Sequence, residues 1–407
     1  MKNVWEGKVK NRVLLLLVLI SACTLSCSSS SPSFTQADLQ AVLNTELQTY
    51  SRDKINYGGG IAIQILTPGA DYFISSGMGS GMGNSHRFRT ASVTKTFTAA
   101  SIMLLHERGQ LNIDHKLSDN IPGTAISYFP YNIPHRNEIT IRMILMHRAG
   151  IFDLTNTEIQ DNAASHGKPY VGKYYIDESM TSPNEEHQFT FDELFRVIES
   201  DEQVGFEPPD SKYSYSDTGY TVLGYIIDRV SGKSYEAFVR DEFLIPNGLS
   251  NSSLPWQGTD RTLPAPFVNG YAWDGSTLTD VTVDNMSAYV GNGNMITTPL
   301  DLATWAKRLL TGQTALNMRT VELMKTGLPS EGTSTYGLGI QYSPRFGYGH
   351  GGDHEGYTTF MFYKPEQEIA FVAFMNIWDQ SNWPTSYSAQ KQFLANTVLK
   401  VFARMGL

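Results

Sequence analysis

The chain has 407 residues, of which 41% are hydrophobic and 17% are charged, so its composition excludes an intrinsically disordered protein. Its formal net charge is −9 and it has no long basic run, which argues against nucleic acid as a partner. Both of its cysteines, Cys23 and Cys27, lie near the N-terminus. The rest of the chain therefore has no internal disulfide to stabilise it.

The N-terminal segment has the pattern of a secretory signal. Basic residues precede the apolar run at 13–20, which is too short to cross the ~30 Å hydrocarbon core of a bilayer. The run ends in "ISAC", which resembles the lipobox of bacterial lipoproteins. This predicts a signal peptide at 1–22, a lipidated Cys23 and a flexible tether at 23–37. A plain signal peptide cleaved nearby is the alternative, and Cys27 is a weaker lipidation candidate.

The next segments alternate between helical and extended patterns. "ADLQAVLNTELQTYSRD" has apolar residues at helical spacing, and "GGGIAIQILTPG" and "DYFISSGMG" read as two strands joined by a turn. A helix is predicted from Ser92 to a stop at Gly109, and a short helix within 139–151. Residues 152–190 are polar and irregular, and we interpret them as a long excursion that could line a cleft.

The second half of the chain begins helical and ends in strands. Amphipathic helices are predicted at 216–232 and 297–312, each followed by or ending in a glycine. "YTTFMFY" and "IAFVAFM" flank "KPEQE", which indicates a hairpin, and a last helix covers about 388–404.

Strands at both ends and helices between them predict a mixed α+β fold. We expect an antiparallel sheet formed by the N- and C-terminal parts and flanked by helices, with an inserted, mainly helical lobe. Within a domain at 38–407, residues 38–95 and 330–407 would form the α/β lobe, and 96–329 the helical lobe. The cleft between the lobes is the default binding site.

"RTASVTKTFTAAS" places Ser92 and Lys95 three residues apart at the start of an apolar helix. Residues at this spacing share one helix face, so the lysine can reach the serine oxygen, and the helix N-terminus favours a developing negative charge. The same spacing also occurs at Ser51/Lys54, Ser165/Lys168 and Ser388/Lys391. Only Ser92 follows a strand and a short loop. The alternative is that Ser92 merely caps the helix.

Two further motifs follow along the chain. Tyr215 and Asp217 stand just before a helix, where a phenol beside a lysine ammonium can act as a base. Alternatively, Ser216 or Asp217 caps that helix. His350–Gly351–Gly352 precedes a strand, where a backbone N–H could form an oxyanion hole with the Ser92 N–H, and His350 could donate to a substrate carboxylate. The alternative here is a tight turn with an exposed histidine.

In this order, the three motifs resemble those of the penicillin-recognising serine hydrolases. The chain is most similar to the branch with tyrosine in the second motif, which holds class C β-lactamases, D,D-carboxypeptidases, D-aminopeptidases and esterases. "ITIRMILMHRAGI" and "GNMITTPLDLATWAKRLL" also resemble family segments, and the likeness covers roughly residues 38 to 405. His147, within the first of these segments, is interpreted as framework.

The resemblance implies a role for each motif residue. Ser92 would be the nucleophile, and Lys95 and Tyr215 would share the role of base. His350 would be the counterpart of the third-motif lysine, with Gly351 and Gly352 as structural members. The backbone N–H groups of Ser92 and Asp353 would form the oxyanion hole.

Two positions depart from the pattern of penicillin-recognising members. Asp217 replaces an asparagine, and a carboxylate only accepts hydrogen bonds. We expect it to raise the pKa of Lys95 and to leave Tyr215 as the stronger base. His350 replaces a lysine and is largely uncharged near neutral pH, so carboxylate recognition should weaken. Both changes predict poor β-lactam hydrolysis.

The sequence therefore predicts a serine hydrolase that forms an acyl-enzyme on Ser92. The expected substrates are D-amino-acid peptides, as for a D,D-carboxypeptidase or a related peptidase, or esters, in the bacterial envelope. A β-lactamase and a non-catalytic penicillin-binding-like protein that binds peptide or a partner are the alternatives. No cofactor is implied, the histidines have no zinc-ligand spacing, and the only membrane attachment expected is the lipid on Cys23.

Overall fold

The computed structural model describes residues 34–54, 57–162, 165–199 and 208–407. The predicted signal peptide at 1–22, Cys23, Cys27 and the tether up to residue 33 lie outside the described residues. The helices are α1 (Gln36–Ser51), α2 (Thr94–Glu107), α3 (Ile141–Leu145), α4 (Tyr175–Ser179), α5 (Phe191–Ile198), α6 (Asp217–Ser231), α7 (Tyr235–Val239), α8 (Pro299–Leu310), α9 (Met318–Lys325) and α10 (Thr385–Met405).

The strands are β1 (Ile61–Leu66), β2 (Asp71–Ser76), β3 (Phe88–Arg89), β4 (Tyr271–Trp273), β5 (Leu278–Asp280), β6 (Ile296–Thr297), β7 (Leu328–Pro329), β8 (Thr335–Tyr336), β9 (Gln341–Ser343), β10 (Gly347–His354), β11 (Tyr357–Lys364), β12 (Ile369–Met375) and β13 (Ile377–Asp379). Short 3₁₀ turns at Ala91–Val93 and Met286–Tyr289 and a π-helical turn at Arg240–Leu244 complete the regular structure. Within the described ranges, no helix combines the length and the apolar character needed to cross a bilayer.

The main sheet joins the two ends of the chain, as the sequence predicts. Its strand order is β2-β1-β12-β11-β10-β9-β8-β7, and every neighbouring pair is antiparallel. The predicted hairpin is confirmed as β11 and β12, in which Thr358 pairs with Met375 and Lys364 with Ile369. The mixed α+β fold is therefore confirmed.

The central strands β1 and β12 are buried on both faces, which explains their unbroken apolar sequences. Alternate residues of β1 enter different cores, because successive side chains of a strand point to opposite faces. Ile61, Ile63 and Ile65 pack with residues of α1 and α10. Ala62 and Leu66 pack with residues of α2 and α8. The sheet is thus a central layer between two layers of helices.

Three features of the fold differ from the sequence prediction. Helix α1 begins at Gln36, inside the predicted tether, because Thr35 and Asp38 form a capping box that satisfies the first N–H groups of the helix. Helix α8 lies in the segment predicted as the helical lobe, yet it packs against β1, β11 and β12 of the main sheet. The short helix α4 also interrupts the predicted irregular excursion at 152–190.

Candidate active site

The Ser92 side chain lies in a 3₁₀ turn that leads directly into α2. The residue before it, Ala91, has a φ of +49°, a left-handed conformation that is unusual for a residue with a Cβ. Hydrogen bonds hold this conformation: the Thr94 hydroxyl donates to Ala91 O at 2.7 Å, and Thr90 N donates to Met295 O at 3.1 Å. The strained turn therefore fixes Ser92 against the start of the helix.

Two side chains, one near in sequence and one distant, meet at the Ser92 hydroxyl. Lys95 Nζ donates to Ser92 Oγ at 2.9 Å, and Tyr215 OH donates to the same atom at 2.8 Å. The hydroxyl is thus engaged by both candidate proton carriers and does not cap the helix. Ser92 and Tyr215 are half-buried, so the nucleophile remains open to a substrate, whereas Lys95 is fully buried.

The Lys95 ammonium makes three hydrogen bonds, which uses all of its donors. Besides Ser92, it donates to Asp217 Oδ1 at 2.5 Å and to the Asn292 carbonyl at 2.8 Å. The negative charge of Asp217 raises the pKa of Lys95, as we expected, but burial outweighs it and holds that pKa below its usual range. The predicted net increase is therefore wrong, because the sequence does not reveal how deeply Lys95 is buried.

The pKa of the Tyr215 phenol is also shifted in the direction opposite to the prediction. Burial and the nearby charge of Asp217 hold its pKa well above the usual range, so Tyr215 is a neutral hydrogen-bond donor at rest. The lowered pKa was expected from the ammonium of Lys95 alone. The carboxylate of Asp217 sits against that ammonium, and its negative charge raises the pKa of the phenol.

His147 positions Tyr215 by one ring contact and by hydrogen bonds to both of its neighbours in the chain. Its imidazole ring stacks on the phenol ring with centroids 4.1 Å apart, and its Nδ1 accepts from Ser216 N at 3.2 Å. Its backbone carbonyl accepts from Ser214 N at 2.7 Å, so both neighbours of Tyr215 are anchored to one residue. Ser216 also caps α6, since its hydroxyl accepts from Gly219 N at 3.1 Å. Capping and catalytic placement thus coexist in this motif.

His350 is buried and does not present a free donor to a substrate. Its Nδ1 donates to the Gly351 carbonyl at 2.5 Å, which leaves Nε2 to accept from Tyr336 OH at 2.7 Å. Burial and the charge of Lys95 lower the pKa of the ring to about 3, so it is neutral. The expectation that His350 donates to a substrate carboxylate is therefore not met, because both of its nitrogens are committed within the protein.

The strand that carries His350 runs alongside the nucleophile loop. Strand β9 pairs with β10 only over Gly347–Gly349, so the rest of this edge of β10 faces the loop. Gly352 permits the close approach: a Cβ at this position would lie 2.1 Å from Thr90 O. Asp353 continues the strand, and its side chain pairs with Lys391 at 2.7 Å, so only its backbone is available for the predicted oxyanion hole.

Sequence reasoning missed two side chains that belong to this network. Asn156 Nδ2 donates to Asp217 Oδ2 at 3.0 Å and to Asp153 Oδ2 at 2.9 Å. Both residues come from the irregular excursion, where no periodic pattern marks them. Among the described residues, no group of three or more His, Cys, Asp or Glu side chains is arranged to hold a metal ion.

Two proteins of Bacillus subtilis are similar to this chain in sequence. "Putative penicillin-binding protein PbpX" of Bacillus subtilis is 25% identical over 290 residues, which cover 71% of this chain and 62% of the relative. "Penicillin-binding protein 4*" of the same species is 26% identical over 290 residues, covering 67% and 57%. The chain thus spans about 60% of the length of these curated relatives.

Solved structures match over nearly the whole chain. The D-amino acid amidase of Ochrobactrum anthropi, complexed with L-phenylalanine amide, has a TM-score of 0.69 at 22% identity and covers 91% of this chain and 100% of its own. A D-stereospecific amidohydrolase from Streptomyces has a TM-score of 0.68 at 23% identity, covering 89% and 97%. These likenesses establish the fold. The profile of the family described as Beta-lactamase matches residues 59–395, and the chain therefore belongs to the Beta-lactamase family.

Proposed function

We propose that this protein is a serine hydrolase that forms an acyl-enzyme on Ser92 and acts on D-amino-acid amides, peptides or esters. The observation that carries the proposal is the convergence on one hydroxyl oxygen: Lys95 at 2.9 Å and Tyr215 at 2.8 Å. These distances are within reach for proton transfer to or from a nucleophile. The two amidohydrolases that share the fold are consistent with this substrate class.

The proton balance of acylation follows from the two pKa directions. Burial lowers the pKa of Lys95 and so eases loss of a proton from its ammonium to solvent; the resulting amine accepts the Ser92 proton as the serine oxygen attacks the substrate carbonyl. The C–N or C–O bond then breaks, and the neutral phenol of Tyr215 gives its proton to the leaving group. The acyl-enzyme is left with a Lys95 ammonium and a Tyr215 phenolate, and the ammonium, 5.0 Å from the phenol ring centroid, stabilises the phenolate.

Deacylation reverses these transfers. Water donates its proton to the Tyr215 phenolate as its oxygen attacks the acyl carbon. The Lys95 ammonium returns its proton to the departing Ser92 oxygen, which restores the neutral amine of Lys95. Backbone N–H groups of Ser92 and Asp353 would stabilise the oxyanion in both steps, and the closeness of Gly352 to Thr90 supports this role.

The electrostatics favour acyl donors without a carboxylate near the scissile bond. Lys95 is paired with Asp217, and His350 is neutral, so neither offers a free positive charge to a substrate anion. We therefore favour amides, peptides and esters with neutral or cationic ends over D,D-carboxypeptidase substrates. β-Lactams, which the names of the two Bacillus relatives suggest, carry a carboxylate and should acylate Ser92 slowly.

A labelling experiment tests the proposal. The full-length protein is treated with a fluorescent phosphonate and then assayed with D-aminoacyl anilides, p-nitrophenyl esters, D-Ala-D-Ala peptides and nitrocefin. We expect Ser92 to be labelled, Ser92→Ala not to be labelled, and turnover to be highest with anilides or esters. A folded wild type without label would instead support a non-catalytic binding protein.

We also propose that the protein is exported and held on the bacterial envelope by lipid on Cys23. The proposal rests on the sequence "ISAC" alone. Growth with radiolabelled palmitate should label the wild type, while Cys23→Ala should remain unlabelled. Equal labelling of both proteins would exclude Cys23 as the lipidated residue.

A further inference from the structure

A second buried carboxyl group, that of Asp153, is connected to the nucleophile through a chain of hydrogen bonds. The Asn156 amide nitrogen donates to Asp153 Oδ2 at 2.9 Å and to Asp217 Oδ2 at 3.0 Å. The other oxygen of Asp217 accepts from Lys95, which donates to Ser92. One amide therefore bridges two carboxyl groups, and the second of these contacts the candidate base directly.

The fold holds Asp153 in place by means other than its charge. The backbone of the next residue, Leu154, donates from N to Thr218 Oγ1 at 2.9 Å, which fastens the segment to α6. Thr155 N donates to Asp153 Oδ1 at 3.1 Å. The Asp153 side chain is buried, and both of its oxygens accept hydrogen bonds, Oδ1 from Thr155 N and Oδ2 from Asn156 Nδ2, whereas an amide side chain has only one acceptor oxygen. The anchor of Leu154 to α6 does not involve the carboxylate, so the segment stays attached to α6 when Asp153 is replaced.

A carboxylate at this position differs from an amide in its charge as well as in its second acceptor oxygen. The charged or titratable groups that face Asp153 are Asp217, Lys95 and Tyr215. Burial and the charge of Asp217 raise the pKa of Asp153 to about 7, so its charge changes near neutral pH. When ionised, it raises the pKa of Lys95 and of Tyr215.

We propose that Asp153 is a positioning residue that orients Asp217 through Asn156 and adds a second negative charge near Lys95, and thereby governs proton transfer through Lys95. This inference rests on the proposed acylation of Ser92. This hydrogen-bond chain serves Asp217. A carboxylate at that position needs a fixed orientation to hold Lys95, and the bridge through Asn156 supplies it. Asp153 itself touches neither Ser92 nor the bond that breaks.

The test is the pH profile of acylation of the full-length protein by a neutral fluorophosphonate. In Asp153→Asn, removal of one negative charge should move the midpoint of the acid limb of the pH–rate profile roughly one pH unit lower, which corresponds to about 1.4 kcal/mol of interaction with Lys95. The maximal rate should also fall, because asparagine has one acceptor oxygen where Asp153 uses two, so the bridge through Asn156 weakens. Asp153→Ser, which is smaller and also neutral, should shift the midpoint in the same direction.

Two controls separate charge from structure. Asp228→Asn removes another carboxyl whose pKa is raised to about 7, by burial and Glu236, but which lies outside this network, and it should leave the profile unchanged. Asn156→Ala keeps both charges and removes the bridge, so it should lower the maximal rate with a smaller change in midpoint.

The wild-type limb provides a test that needs no variant. If ionisation of Asp153 raises the pKa of Lys95 as the pH rises, the acid limb of the wild-type pH–rate profile should be broader than a single ionisation. The inference would be overturned if the acid limb of the wild-type pH–rate profile fits one ionisation. It would also be overturned if folded Asp153 variants leave the midpoint of that limb unchanged. If the wild type is not acylated at any pH, the proposed function itself is wrong.

Discussion

The two glycines after His350 form a matched pair for testing the oxyanion strand. A Cβ on Gly352 would lie 2.1 Å from Thr90 O and 3.2 Å from Val93 Cγ2. A Cβ on Gly351 would meet only Thr359 O, at 3.7 Å, which is ordinary contact. Neither glycine has a positive φ, so the difference between the two alanine variants is steric. Gly352→Ala must push β10 away from the nucleophile loop by about 1 Å.

This displacement predicts the size of the kinetic effect. An oxyanion donor works at about 2.7–3.1 Å, and an added ~1 Å takes it beyond hydrogen-bonding distance. Loss of one such donor lowers the rate by about 10²–10³, or about 3–4 kcal/mol in the barrier. We therefore expect Gly352→Ala to acylate about 10²–10³ times more slowly than the wild type, and Gly351→Ala to stay within about threefold.

The assay is the second-order rate of acylation by a p-nitrophenyl ester, measured by stopped flow, with melting temperatures recorded for both variants. Folded Gly352→Ala with wild-type rates would show that the close approach to Thr90 does not support an oxyanion hole. Equal losses in both variants would show that the strand tolerates no side chain at all, and that the steric argument is wrong.

Three further variants test individual groups. Tyr215→Phe removes the hydroxyl 2.8 Å from Ser92 Oγ and should slow acylation by about 10²–10⁴ with an unchanged melting temperature; undiminished rates would exclude its role in proton transfer. The buried His350 has a folded pKa of about 3, below the unfolded value of about 6.5, so its contribution to stability is complete above pH ~6.5 and is lost as the pH falls towards 3. Between pH ~6.5 and 3, the free energy of unfolding in urea should therefore fall by about 4 kcal/mol more for the wild type than for His350→Gln. Parallel plots of this free energy against pH would contradict the burial argument. Among the described residues, the Gln64 amide has no hydrogen-bond partner although it is buried, so Gln64→Met should raise the free energy of unfolding by about 1–2 kcal/mol, and a loss of stability would indicate a hidden partner.

Local sequence patterns predicted the elements of the fold well, because each depends on contacts within a few residues. The helix predicted at 216–232 is α6, and Gly232 ends it with a φ of +70°, a conformation that glycine adopts without strain. The hairpin around "KPEQE" is also confirmed. The placement of α8 against the main sheet was not predicted, since the apolar face of a helix does not identify its partner.

Some residues of the candidate site were likewise predictable from the sequence, whereas others were not. The spacing of Ser92 and Lys95 on one helix turn follows from helix geometry, and motif order supplied Tyr215, which lies 123 residues further along the chain. Asp153 and Asn156 carry no periodic signal, so only the folded chain brings them to Asp217. The lipidation of Cys23 remains a prediction.

The sequence by itself determined the family, the order of the motifs and the identity of the groups that meet at Ser92. Only the tertiary structure decided their protonation behaviour: Lys95 and His350 have lowered pKa values and Tyr215 a raised one. The physical reason is that a pKa depends on the solvent and charges around a group. Those surroundings come from segments far apart in the chain, and they exist only once the sheet and its helices have packed.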